Sequence, residues 1–147
     1  MAFHYQTILV AVDGSTESEL ALKKAFKMAK LEEAKLVISY IIDNRPSATI
    51  EQYDRTIVEQ TEKYGQEMLI TYKKDAEEAG ILDVEIALDY GSPKIKIPRD
   101  IADKYQADLI IAGATGINAV ERLFIGSVSE NIARRAKCDV LIVRKQH

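Results

Sequence analysis

Thr7-Ile8-Leu9-Val10-Ala11-Val12 runs without a break into Asp13-Gly14-Ser15. An apolar run ending in an acid, a glycine and a hydroxyl reads as a buried strand that stops in a tight turn. A strand that is apolar at successive positions, and not only at every second one, belongs to a parallel sheet covered on both faces. Four further runs resemble it, at Leu36–Ile42, Val84–Leu88, Leu109–Ala112 and Val140–Val143. Helical stretches fall between them. The first is expected from Thr16 to Leu31, with Thr16 and Glu19 spaced as a capping box and Leu22, Ala25, Phe26 and Ala29 on one face. The second spans Ile50 to Ala79, stopped by Gly80, with Gly65 marking a bend in its middle. The third opens at Ser92-Pro93 and reaches Tyr105, and Pro98 inside it is expected to kink it or split off its first turn. The fourth covers Ser127 to Ala136. Asp43 to Thr49, with Asn44, Arg45 and Pro46, reads as a loop. Strands alternating with helices form right-handed βαβ units. The expected fold is therefore a single doubly wound α/β domain, a five-stranded parallel sheet with helices on both faces.

Composition narrows the function. The 147 residues are 47% apolar and 29% charged, ordinary values for a globular domain. A net charge of -3 leaves no basic footprint for nucleic acid or anionic lipid. One cysteine, Cys138, excludes an internal disulfide and a cysteine-rich metal site. Thr7–Val12 is too short for a signal core or a membrane span, and no charged leader precedes it. The expectation is a cytoplasmic protein without nucleic-acid or membrane partners.

A second motif lies near the other end. Gly113-Ala114-Thr115-Gly116 is followed by nine residues and then Gly126-Ser127, a G-x2-G-x9-G-S pattern between an apolar run and a helix. Glycine turns between strand and helix hold phosphates, because the backbone can approach closely and a helix N-terminus offers unpaired N–H groups. In doubly wound sheets ligands bind beyond the carboxyl ends of the strands, where strand order reverses. If the first and fourth strands are neighbours, Asp13 and the Gly113 turn face one crevice. Asp13 can accept hydrogen bonds from a ribose or base. Gly113 and Gly116 leave room for a sugar-phosphate, and the N–H groups of Ser127, Val128 and Ser129, with both serine hydroxyls, can wrap phosphate oxygens. A Cβ at Gly113 or Gly126 is expected to obstruct that approach, with strain wherever φ is positive. The pattern is not a Walker loop, since no lysine follows the last glycine. Nor is it the dinucleotide fingerprint, which belongs after the first strand. Each residue also has a plainer role: Asp13-Gly14 as a strand-ending turn, Gly113 as a packing glycine, Ser127 as a helix cap, Thr115 as a turn residue, and Arg122 paired with Glu121 or solvent.

Taken together, Thr7–Ser15 followed by a helix, Gly113-Ala114-Thr115-Gly116 and Gly126-Ser127-Val128-Ser129 resemble the universal stress protein family over essentially the whole chain. The resemblance is to the branch with an intact glycine motif, which binds ATP. It implies the strand order 3-2-1-4-5 and a dimer. It also implies a binding set of Ala11, Val12 and Asp13 at the adenosine, backbone near Ile41 at the adenine, Ala112, Gly113, Thr115 and Gly116 at the ribose and first phosphates, and Gly126, Ser127, Val128 and Ser129 along the phosphate chain. Pro98 departs from the family pattern, away from these positions.

Catalysis has little support. His4 and His147 lie at the chain ends, and no His-Glu pair or nucleophile elbow appears. ATP would bring Mg²⁺ or Mn²⁺ held mainly by its phosphates, because Asp13 is the one evident acid at the site. Without a motif lysine or an evident base, slow hydrolysis or none is expected from a nucleotide-dependent regulator. The alternatives are an ATP-hydrolysing or adenylate-transferring enzyme, and a phosphoacceptor receiver domain using Asp13 and Asp89. In the implied strand order Val140–Val143 lies at a sheet edge, and an apolar edge calls for a partner, here a second copy.

Overall fold

Strand β1 (Thr7–Ala11) occupies the centre of a five-stranded parallel sheet, with β2 (Lys35–Ile42) on one side and β4 (Leu109–Gly113) on the other. Strands β3 (Val84–Tyr90) and β5 (Asp139–Val143) form the two edges, so the order is 3-2-1-4-5. These features come from a computed structural model that describes residues 4–43, 55–115 and 125–145. The expected loop at 44–49 and the start of the second helix at 50–54 lie outside the described residues.

The unbroken apolar runs are explained by two cores. Ile8, Val10, Leu36, Ile38 and Ile111 point to one face and meet Ala21, Leu22, Ala25 and Ala29 of α1 (Thr16–Glu32) and Leu69 and Ala76 of α2 (Arg55–Glu78). Leu9, Val37, Ile41, Ile110 and Ala112 point the other way, against Ile97, Ile101, Ala102 and Ile132. Alternate residues thus serve opposite faces, and both faces are apolar. Ile132 belongs to α5 (Ser127–Arg135).

One local expectation needs correction. The cap of α1 is Ser15, not Thr16: its backbone is extended and its Oγ accepts the Ser18 N–H at 3.1 Å. Residue three beyond Ser15 is a serine, so no reciprocal glutamate bond forms. Instead the Ser18 hydroxyl donates to Ser15 O at 3.1 Å and accepts Asp13 N–H at 3.2 Å. Helix α2 runs unbroken through Gly65. A Cβ there would come within 2.7 Å of the Tyr40 ring, so the glycine lets the helix rest directly on that ring. The expectation at Pro98 holds, since the first turn stands apart as a short element of its own. Between α3 (Pro93–Ile95) and α4 (Ala102–Tyr105), residues Lys96–Ile101 form a π-helical turn with Pro98 buried inside it. Proline lacks the N–H of an ordinary helical bond, and a wider turn absorbs that loss while Ile97 and Ile101 stay on the core.

Candidate functional site

The carboxyl ends of β1 and β4 lie side by side, and two turns and a helix start gather there. Beyond β1, Val12 N–H donates to Ser39 O at 2.9 Å, and Asp13 follows. The Asp13 Oδ1 accepts Ser15 N–H at 2.9 Å, which leaves its second oxygen for a ligand. Gly14 has φ +84, a conformation suited to glycine, so this turn is required by backbone shape as well as by any ligand.

Beyond β4, the chain is tied back at each step. Ala114 N–H donates to Val143 O at 2.8 Å, and Gly126 N–H donates to Ala114 O at 2.7 Å. This second bond brings the N-terminus of α5 against the end of β4. Gly126 is the N-cap of α5 and Ser127 its first residue, so Ser127 is not the cap. No side chain caps the helix among the described residues. The amides of Ser127, Val128 and Ser129 therefore stand at the positive end of the helix without an intrahelical acceptor. The Ser129 hydroxyl is already engaged, donating to Gly113 O, so only Ser127 offers its hydroxyl outward. Gly126 has φ -66, so the strain expected of a side chain there is absent.

Gly113 and Thr115 are buried. A Cβ on Gly113 would lie 2.8 Å from the backbone oxygen of Glu17, so its packing role is real: the first turn of α1 sits on it. Thr115 is 5% exposed, and its hydroxyl has no hydrogen-bond partner among the described residues. Its N–H donates to the Glu17 carboxylate at 3.3 Å. Glu17 is thus a second acid at the turn beside Asp13, missed because nothing in its spacing reveals that α1 lands on β4. Ala11 and Ala112 turn their side chains into the second core and Val12 into the first, so they can serve a ligand only through backbone. Ile41 does the same, its side chain buried. On β2 alternate residues address alternate neighbours. Ser39 bonds toward β1, so the N–H and C=O of Ile41 also face the β1 side, beyond the last bridged pair, Ala11 with Ser39. Gly116, Glu121 and Arg122 lie outside the described residues, as does His147.

Three tyrosines surround the Asp13 end. Tyr40 is half-buried, and its phenol is held above its ordinary pKa by burial first, then by Tyr64 and Asp13. Tyr72 is pushed up further, by burial and by donating to the Glu19 carboxylate at 3.1 Å. Both remain protonated donors at neutral pH. Asp89 ends up elsewhere: it lies on edge strand β3, separated from β1 by β2. The Tyr90 N–H and Lys96, 3.3 Å away, hold its carboxyl below the usual carboxylate range. A receiver domain, with strand order 2-1-3-4-5, needs its third strand beside the first. That alternative therefore fails on topology.

Strand order, crevice and glycine turns define a doubly wound α/β domain with an anion-ready end and an acidic, phenolic end. Residues 4–144 match the family model described as the Universal stress protein family. A protein of Staphylococcus aureus (strain USA300) named for the same family is 48% identical over 142 residues, covering 97% of this chain and 86% of its own. Among solved structures, universal stress protein UspA from Lactobacillus plantarum superposes with a TM-score of 0.89 at 25% identity, covering 97% of this chain and 100% of that one. A universal stress protein in complex with cAMP superposes with a TM-score of 0.70 at 32% identity, covering 96% and 98%. The chain belongs to the universal stress protein family. Among the described residues no helix is long and apolar enough to cross a membrane, and no group of three His, Cys, Asp or Glu could hold a metal ion.

Proposed function

We propose that this protein binds ATP in the crevice at the carboxyl ends of β1 and β4 and acts in the cytoplasm as a nucleotide-dependent regulator, with little turnover of its own. The observation that carries this reading is the bond from Gly126 N–H to Ala114 O, which sets the uncapped amides of α5 beside the glycine turn. Phosphate oxygens would take the Ser127, Val128 and Ser129 amides; adenine would take the free edge of β2 at Ile41; and Asp13 would take the sugar or base. That a 32%-identical relative of the same fold was crystallised with cAMP supports an adenine nucleotide as the ligand class. Mg²⁺ or Mn²⁺ would be held mainly by the phosphates, with Asp13 and Glu17 the nearby acids. Such an ion would screen the phosphate charge from those two carboxylates.

Calorimetric titration with ATP and Mg²⁺, and the mass of any co-purifying nucleotide, test the reading. Saturable binding with turnover far below the roughly 1 to 1000 per second of ordinary enzymes is the expected result. Absence of binding at millimolar ATP would overturn it. Turnover within the enzyme range, lost on substitution at the site, would favour an ATP-hydrolysing enzyme instead.

A homodimer through β5 belongs to the same proposal. Strand β5 is an edge strand, and Val140 to Val143 are only half-buried. Pairing with a second copy about a two-fold axis would cover that edge. Light scattering at micromolar concentration is expected to give twice the 16.5 kDa chain mass, and a monomer would exclude it.

A further inference from the structure

Gly65 within helix α2 and Gly14 facing that helix point to a ligand contact outside the glycine motif. At Gly65 a Cβ would meet the Tyr40 ring at 2.7 and 2.8 Å and Leu88 at 3.3 Å, so α2 has no slack over β2. That contact pins the preceding residue. The Tyr64 hydroxyl lies where a Cβ on Gly14 would be, 2.6 Å from that position, directly on the turn that carries Asp13. Tyr64 is 53% exposed, and its hydroxyl makes no hydrogen bond to the chain among the described residues. A phenol held in place over a ligand-facing turn, with its donor unspent, is arranged to meet something that arrives there.

The charge pattern says which end of a nucleotide that is. Around Tyr64 stand Asp13, Glu19, Tyr40 and Tyr72, which are acids and protonated phenols. The other end of the crevice carries the uncapped amides and positive dipole of α5, with the Glu17 carboxylate there already accepting the Thr115 N–H. A phosphate is repelled from the first and drawn to the second. We infer that Tyr64 is a nucleoside-contacting residue, donating its hydroxyl to the sugar or base held at Asp13, and that this phenolic wall fixes which way round the nucleotide lies. The inference rests on the ATP reading above and adds a residue to it.

Titrating the parent, Tyr64→Phe and Tyr64→Ala with Mg²⁺-ATP and separately with tripolyphosphate tests it. Losing one hydrogen bond to a neutral group weakens ATP roughly threefold to tenfold. That loss is expected in Tyr64→Phe, at least as much in Tyr64→Ala, with tripolyphosphate affinity unchanged in both. If Tyr64→Phe binds ATP within twofold of a parent that binds it, the Tyr64 contact is wrong and the ATP site stands. An equal fall for ATP and tripolyphosphate also overturns it, because Tyr64 would then be acting on the turn and not on the nucleoside. If the parent binds no ATP, both readings fall together. Thermal melts of the three proteins without ligand show whether the variants are folded, and Tyr64→Phe, which keeps the ring, decides the outcome should Tyr64→Ala unfold.

Discussion

Gly126→Val is expected to weaken ATP binding by roughly tenfold to more than a hundredfold while leaving the protein folded. Gly126 is the N-cap of α5, and its φ of -66 is open to any residue, so the substitution forces no backbone strain. The effect comes from the ligand side. A branched side chain at that position stands over the Ser127, Val128 and Ser129 amides and keeps phosphate oxygens away from them. Each charge-assisted hydrogen bond lost is worth about 1.5 to 3 kcal/mol, which sets the expected range of affinity. A β-branched residue is also a poor N-cap, but that penalty of about 1 kcal/mol falls on stability and not on binding. Calorimetry on the folded variant checks the point, and unchanged affinity would remove the α5 terminus from the site.

Gly113→Val should act in the opposite sense, on folding before binding. Its Cβ would lie 2.8 Å from Glu17 O and 2.9 Å from Glu17 C, both backbone atoms that no rotamer change can move. Helix α1 must shift off the end of β4, and the Ser129 hydroxyl that donates to Gly113 O moves with it. Overpacking of this kind costs about 1 to 3 kcal/mol. Urea unfolding without nucleotide measures it, and a variant as stable as the parent would show that α1 is free to yield. The two glycines of one motif therefore separate experimentally: one guards a surface for the ligand, the other a contact between elements.

That separation marks the limit of what a linear sequence shows by itself. The strands were legible because apolar runs such as Leu36–Ile42 have one explanation, and the two cores bear it out. The order 3-2-1-4-5 was not contained in those runs. It came through resemblance, since nothing in a strand's composition says which neighbour it takes. Boundaries moved where side chains compete to cap, as with Ser15 and Thr16, two adjacent hydroxyls of equal local merit. Glu17 and Tyr64 were invisible for a stronger reason. Their positions at the crevice depend on glycines 96 and 50 residues away, at 113 and 14, where a missing Cβ allows an approach that no local pattern encodes. The same holds for Gly65, whose local meaning is a weak point in a helix and whose actual meaning is a seat on Tyr40.

The π-helical turn at Lys96–Ile101 has a consequence for chain length. A π turn closes over one more residue than an α turn, so the segment from Pro93 to Tyr105 carries one residue in excess of what a regular helix would use to reach the same end point. Most helices meet a single-residue deletion with a rotation of about 100° that swings everything downstream off its face. Here removal of Pro98 would discard the surplus and the missing N–H together, letting Ile101, Ala102 and Tyr105 keep their orientation.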